Sequence, residues 1–427
     1  MKRSPWNLVF IAASLAGFAF ASVSTHDFVQ HLDRQVHSIT CSFLPGLATP
    51  AMGESGCQVT LMSPYSSVFR TWLWGGLPIS LPAMAVFAFL AFRGIDLLVN
   101  QTPTARAPRV FLVAAAALPA VTSLVMGYIA MNVLDAACKL CIGIYVSSFV
   151  ALVAAVLEWR TAPSAAALGQ EPEGEDANPA RSHAVSVGQG VGFVLIPTLL
   201  YGIIAPDQTE IVQSCGELAG VEAPAGVMVP LDQNAGAKAA VEVLDPMCPA
   251  CRAFEGRLEA SGLGPQVNRS MVLFPLDHCN WNVGQALHPG ACVVSEAVLC
   301  AGDRARDVLS WSYAHQAEIK DVATAAAGPE KEGEPAKERN ARVDAAVTDH
   351  VSKAFPDLKA CIGTPAVKKK LGDALRWASR SQLPVTTPQL YIEGRKLCDE
   401  DTDLGMDFAL SRLLSSAAAT PSKEATP

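Results

Sequence analysis

The stretch that decides the fold is VEVLDPMCPACRAFEGRLEA, residues 241–260. It begins as a short apolar strand, turns at Asp245 and Pro246, and continues as a helix with apolar returns at Phe254 and Leu258. Cys248 falls at the junction, with Pro249 at the first helical position, where a missing N–H has no partner to lose. The free N–H groups of that first turn and the helix dipole favour a thiolate at Cys248, which makes it the attacking sulfur. Cys251, one turn later, is the resolving partner. Two blander readings of such a pair are half a zinc site and an inert surface disulfide. The zinc reading lacks a second CxxC or a neighbouring His in this part of the chain.

Around this stretch the sequence reads as an α/β domain. A strand at 239–244 precedes the cysteine pair, and RSMVLFPL (269–276) gives another. Helical stretches fill 291–325 and 341–381, separated by the charged loop GPEKEGEPAKERN (328–340). TPQLYIEG (387–394) returns to strand and turn. Glu255 and Glu259 read as solvated helix residues.

The first half of the chain is different. Hydrophobic residues make up 50% of all 427 positions and charged residues 17%, a balance that points to membrane segments, while the absence of a basic tract argues against nucleic acid as a partner. Apolar spans run from about Trp6 to Val23, Trp72 to Val99, Val110 to Val133 and Cys138 to Trp159, with a fifth at 185–205. A helix needs about 20 such residues to cross a bilayer. The first span reads either as a cleaved signal peptide or as a retained helix. Placing Lys2, Arg3, Arg106, Arg109, Arg160 and Arg181 on one side satisfies the positive-inside bias, and puts Cys41, Cys57, Cys138, Cys141 and everything after residue 205 on the other. The twelve cysteines fit an oxidising compartment such as a bacterial periplasm.

A second CxxC lies in NVLDAACKLCIGIYVSSFVALVAAVLEW (132–159). Asp135 is a candidate cap for this span, which puts Cys138 and Cys141 on nearly one face of its first turn, at the outer edge of the bilayer. There a thiol pair can meet both an outer loop and a lipid-soluble molecule; the alternative is that the two cysteines only pack.

Two resemblances bind these features together. DPMCPACRAF (245–254) with LPVTTPQLYI (383–392) resembles the thioredoxin superfamily, in its periplasmic branch with a helical insertion, like the disulfide-introducing DsbA proteins. The resemblance implies that Pro388 is cis and packs opposite the cysteine pair, and that Thr387 contacts substrate. Ala250 departs from the histidine of the oxidases, which implies a milder oxidant, and threonine before the proline also resembles the isomerases.

The outer loop CSFLPGLATPAMGESGCQVTLMSPYSSVFRTWLWGGLPISL (41–81), followed by the CxxC and Tyr145, resembles the vitamin K epoxide reductase family, over about residues 8–158. These membrane proteins couple disulfide formation to quinone reduction, and bacterial members are often fused to a thioredoxin-like domain. The match implies that Cys41 and Cys57 are a mobile loop pair, that Cys138 receives their electrons, that Cys141 is nearest the quinone, and that Ser63 and Tyr145 line its pocket. The family's polar asparagine in the second span is not evident, since AMAVFAFLAF (83–92) offers only carbon and sulfur.

The expected fold is therefore an all-α membrane four-helix bundle at 1–159, a cytoplasmic linker at 160–184, a linking transmembrane helix at 185–205, a connecting segment at 206–237, a periplasmic thioredoxin-like α/β domain with a helical insertion at 238–414, and a disordered tail at 415–427. The expected activity is a quinone-linked generator of disulfides in exported proteins, with ubiquinone or menaquinone as acceptor and no metal. A reductase or isomerase system and a non-redox membrane scaffold are the alternatives. Cys279 and Cys292 are the preferred structural pair among the six remaining cysteines, and His278 and His288 read as surface or packing residues.

Overall fold

The structure is a computed structural model that describes residues 4–33, 39–44, 50–51, 56–100, 106–162, 178–205, 215–220, 222–329 and 334–415. Most of the linker at 160–184, the start of the 206–237 segment, part of the charged loop at 328–340 and nearly all of the tail at 415–427 lie outside those residues. The chain divides into two compact units, Met1–Asp207 and Gln208–Pro427.

The first unit holds α1 (Pro5–Gln30), β1 (Ile39–Thr40), β2 (Pro50–Ala51), α2 (Gly56–Leu61), β3 (Ser67–Val68), β4 (Leu77–Pro78), α3 (Ser80–Val99), α4 (Ala107–Asn132), α5 (Lys139–Thr161) and α6 (Pro179–Ile204). Among the described residues five helices, α1 and α3 to α6, are long and apolar enough to cross a membrane. Helix α1 packs on α3 and α5, α4 packs on α5, and α6 lies against α3 through Phe193 with Phe89 and Phe92. Glycines permit the closest approaches: a Cβ on Gly17 would meet the Phe87 ring, and one on Gly143 the Phe20 ring. Large side chains such as Leu118, Val121, Leu124, Val153, Ile196 and Leu199 face outward, the inverse of a water-soluble bundle.

Four polar contacts fix which helix ends lie together. Asn7 Nδ2 donates to Gly94 O at 3.0 Å, and the buried pair Arg109–Glu158 closes at 3.1 Å, so the start of α1 meets the end of α3 and the start of α4 meets the end of α5. At the opposite end Thr25 Oγ1 donates to Ser80 Oγ at 2.9 Å and Tyr201 Oη to Gly76 O at 3.0 Å.

Three boundaries in this unit differ from the sequence reading, the first being α1, which runs on to Gln30 rather than ending near Val23. The second span starts at Ser80 rather than Trp72, because residues 67–78 fold back as the β3–β4 pair through Gly75 and Gly76, both at positive φ, and Trp74 Nε1 donates to Leu32 O at 3.0 Å. The fifth helix starts at Pro179 rather than 185, because Asn178 accepts the Arg181 N–H and Pro179 opens the first turn.

The second unit holds β5 (Val229–Pro230), β6 (Lys238–Leu244), α7 (Pro249–Ser261), β7 (Val267–Leu273), α8 (Ala291–Ala301), α9 (Ala305–Ala314), α10 (Gln316–Ala327), α11 (Ala336–Ala354), α12 (Pro365–Arg380), β8 (Gln389–Ile392), β9 (Arg395–Lys396) and α13 (Met406–Ser415). The sheet order is β5-β7-β6-β8-β9, with β6 parallel to β7 and antiparallel to β8. A β-α-β unit carrying the cysteine pair, followed by an insertion of five helices and an antiparallel return beside the first strand, is the thioredoxin-like arrangement the sequence led us to expect. One apolar core lies under α8 to α11 and another under α12, around Trp377 and Phe274.

Residues before 238 join this unit: β5 pairs with β7, and Cys215 is bonded to Cys398. Cys279 is bonded to Cys292, and Cys300 to Cys361. Glu255 corrects an expectation, since its carboxylate meets buried Arg269 at 2.5 Å and 3.0 Å, and only Glu259 is a solvated residue.

Candidate active site

In the α/β unit β6 ends at Leu244, and Asp245 builds the turn that follows. Its buried carboxylate accepts the Met247 N–H at 2.7 Å and the Leu276 N–H at 2.8 Å, and His288 Nδ1 lies 2.7 Å from Oδ2. Burial alone would lower the His288 pKa, but the bond to Asp245 and the surrounding negative groups raise it. Cys248 is the N-cap of α7 and Pro249 its first residue. Gln316 Nε2 donates to the carbonyls of Pro246 at 3.1 Å and Cys248 at 3.0 Å, which pins the turn from the helical insertion.

The Thr387–Pro388 peptide is cis, and the Cys248 thiol donates to Thr387 O at 3.5 Å. The buried Thr387 Oγ1, with no other partner, can donate to the thiolate once the proton leaves. Cys248 is held at about 6, chiefly by the Cys251 side chain, then by Thr387 and the Cys251 N–H, against the effect of burial. Cys251 is fully buried and pushed well above the ordinary thiol value, first by burial and then by its neighbour. The pair is thus split into one readily ionised thiol and one buried thiol that resists ionisation.

Beside it lies a charge cluster that sequence reading missed. Arg269, 2% exposed, contacts Asp232, Glu242 and Glu255. Burial pushes Glu242 up to about 7, with Arg269 opposing. The one signal available was an acid inside the otherwise apolar strand VEVL.

Asp277, His278 and Cys292 bring three potential metal-ligand atoms within 4.8 Å. Their chemistry does not fit a metal. The Cys292 sulfur is bonded to Cys279, and Asp277 accepts the N–H groups of His278, Gly290 and Cys292. His278 is raised to about 10 by Asp277 and Asp344, so it is a cation. The group clamps the start of α8.

In the helical unit, a cavity of about 360 Å³ opens among α1 to α5, and its lining is mostly apolar. Cys57, Cys138, Cys141, Ser63 and Tyr145 all line it. Cys41 is bonded to Cys57, with Cα atoms 5.9 Å apart. Cys138, not Asp135, caps α5: its sulfur accepts the Cys141 N–H at 3.2 Å, while Asp135 sits at positive φ in the preceding turn. Lys139 points outward over the Phe43 ring at 5.9 Å. Gly56 decides how closely the loop approaches, because a Cβ there would stand 2.3 Å from Ala137 O, one residue before Cys138.

Ser63 and Tyr145 lie where the resemblance implied, whereas Ser80, Ser123 and Ser148 were not visible as a motif. Ser123 Oγ donates to Ser148 Oγ at 3.0 Å, and both line the space with Ser63, Ser66, Ser80 and Tyr145. They supply donors that residues 83–92 of the second span lack. Asp27, in the last turns of α1, lines it too.

The model of the vitamin K epoxide reductase family matches residues 8–156. Among solved structures, the chain is similar to the protein-disulfide isomerase of Novosphingobium aromaticivorans, at 19% identity over 40% of this chain and 90% of that one, with a TM-score of 0.30. It is similar to the catalytic domain of Proteus mirabilis ScsC, at 16% identity over 47% and 93%, with a TM-score of 0.27. ScsC in a transitional conformation gives 16% identity over 56% and 98%, also at 0.27. No curated protein matches this chain.

Proposed function

We propose, from a chain whose residues 8–156 form a vitamin K epoxide reductase family domain and whose remainder has a thioredoxin-like fold, that this redox protein makes disulfides in exported proteins at the expense of quinone. The observation that carries the reading is the cavity, where Cys57 of the closed loop pair and the open helix-capping pair line one apolar space.

Cys248 as thiolate enters exchange with client cysteines, Thr387 and Pro388 present the client chain to it, and Cys251 resolves the mixed disulfide. Cys41–Cys57 takes the two electrons from Cys248/Cys251 and passes them through Cys57 to Cys138. The N–H of Cys141 and the start of α5 stabilise the Cys138 thiolate that each exchange leaves behind. The cavity fits a ring: apolar walls from α3 and α4, with Ser63, Ser66, Ser80, Ser123 and Tyr145 as hydrogen-bonding groups and Cys141 as the adjacent sulfur. A quinone, ubiquinone or menaquinone, supplies there the capacity to take two electrons and two protons.

On this reading the protein is a multi-pass inner-membrane protein, with the α/β unit in the periplasm, and its partners are reduced exported proteins, quinone and the bilayer. The shared end of Thr25, Ser80, Tyr201 and the cavity supports that sidedness, since the chain leaves α6 at the end where the cysteines lie.

Changing Cys141 to Ala abolishes quinone reduction by added dithiol, and Cys248 and Cys251 then accumulate as thiols in cells, read by alkylation trapping. Unchanged quinone reduction would remove the reading and leave a scaffold. A pair Cys248/Cys251 found mostly reduced in wild-type cells would turn it into a reductase or isomerase.

A further inference from the structure

Asp27 is a buried carboxylate, 2% exposed, that lines the cavity holding Cys57, Cys138 and Cys141. Its Oδ2 accepts the N–H of Thr40 at 2.8 Å. Thr40 precedes Cys41, which is bonded to Cys57, and Cys57 faces the same space. One carboxylate therefore holds the residue before Cys41 and opens onto the chamber that Cys57 lines. A carboxylate in an apolar chamber is costly unless it is hydrogen-bonded or used. Among the described cavity-lining residues the other titratable side chains are the thiols of Cys57, Cys138 and Cys141 and the phenols of Tyr65 and Tyr145, and Asp27 is the one carboxylate among them. The charges facing the carboxylate are those of His26, exposed on the same helix, and His31, whose Nδ1 also lies 2.6 Å from the Asp27 backbone carbonyl.

We propose that Asp27 is the proton carrier for exchange between the loop pair and the helix-capping pair, positioned for it by its bond to Thr40. This rests on the relay proposed above. With the loop as dithiol and Cys138–Cys141 as disulfide, Asp27 takes the Cys57 thiol proton. The Cys57 thiolate attacks the Cys138 sulfur; the Cys57–Cys138 bond forms, the Cys138–Cys141 bond breaks, and Cys141 leaves as a thiolate that takes the proton back from Asp27. Cys41, passing its own proton to Cys138, then attacks Cys57 and releases the Cys138 thiol. Two electrons move from loop to helix pair, and Asp27 ends as it began. General-base help of this kind is worth on the order of 10²-fold or more.

The test needs no quinone. Full-length protein in lipid nanodiscs, oxidised and stripped of quinone, receives a dithiol reductant and is quenched with an alkylating agent over time. Mass spectrometry then compares labelling of Cys138 and Cys141 with that of Cys41 and Cys57. In wild type, transfer from loop to helix pair slows as the pH falls and Asp27 takes up its proton. Asp27→Asn keeps an oxygen for the Thr40 N–H but carries no proton. It is expected to slow the transfer on the order of 10²-fold, move the acid limb up to where an unassisted thiol ionises, and leave loop reduction and thermal unfolding unchanged. Asp27→Glu restores part of the rate and the limb. Transfer at the wild-type rate in Asp27→Asn, or slowed transfer that keeps the wild-type acid limb, would overturn the proposal. A wild type that transfers electrons in this assay but never reduces quinone would instead overturn the proposed function alone.

Discussion

The chain uses the same device twice and surrounds it differently. Cys138 and Cys248 both cap a helix, and each has its partner one turn later. Cys138 takes its stabilising N–H from within its own helix and faces an apolar cavity. Cys248 also leans on the N–H of its partner Cys251, but it faces the Thr387–Pro388 turn, with its carbonyl held by Gln316 from the helical insertion. The motif supplies a polarised thiol pair in both places, and the neighbours decide what that pair can reach. One pair faces an enclosed apolar space, the other a turn whose preceding residues Val385 and Thr386 are exposed.

The comparison breaks most readily at Gly56. A methyl group there collides with Ala137 O at 2.3 Å, so Gly56→Ala must push Cys57 away from Cys138. Displacements of about 1 Å at reacting atoms cost on the order of 10²-fold in rate. We expect loop-to-helix transfer to fall by that much while Cys248/Cys251 exchange with an added dithiol substrate is untouched, both followed by alkylation kinetics. Equal loss at both pairs would mean that the two are not independently built.

A smaller effect tests what polarises the outer pair. Removing Cys251 removes the main support of the Cys248 thiolate, so in Cys251→Ala the thiolate titration, read by ultraviolet absorbance, moves up from about 6 toward an ordinary thiol. The sign for stability follows. Because the folded value is depressed, reduced wild type holds this contribution above the ordinary thiol pKa and loses it as pH falls through about 6. Denaturant melts of the reduced protein across that range check it, and an unchanged titration in the variant would mean that the helix terminus alone sets the value.

The mildest change sharpens the contrast in neighbours. Gln316→Ala withdraws donors from two buried carbonyls, of which Pro246 O keeps a weaker bond from Ser312 at 3.4 Å. A cost of about 1–2 kcal/mol is expected in the α/β unit, measured by its unfolding midpoint, with little effect on quinone reduction. No loss of stability would mean that the local motif positions Cys248 without help.

Much of both sites could be read along the chain, because their chemistry is local. Apolar runs long enough to span, a proline after the first cysteine, and a strand leading into a helix are properties of neighbouring residues. The reading of Asp135 as a cap failed for the opposite reason: the turn before α5 rotates it out at positive φ, and a cysteine takes the role. The reading of Glu255 as solvated failed because Arg269, on the next strand, reaches it.

The sequence alone settled the two CxxC pairs, the membrane character of the first half and the α/β character of the second. These follow from hydrophobic period, composition and helix-terminal chemistry, which act over a few residues. Tertiary structure alone decided that Gly56 lies against Ala137, that Asp27 holds Thr40, that serines from separate helices line one cavity, and that three acids share Arg269. Contacts between distant segments depend on how helices and strands close on each other, and no local pattern of residues specifies that closure.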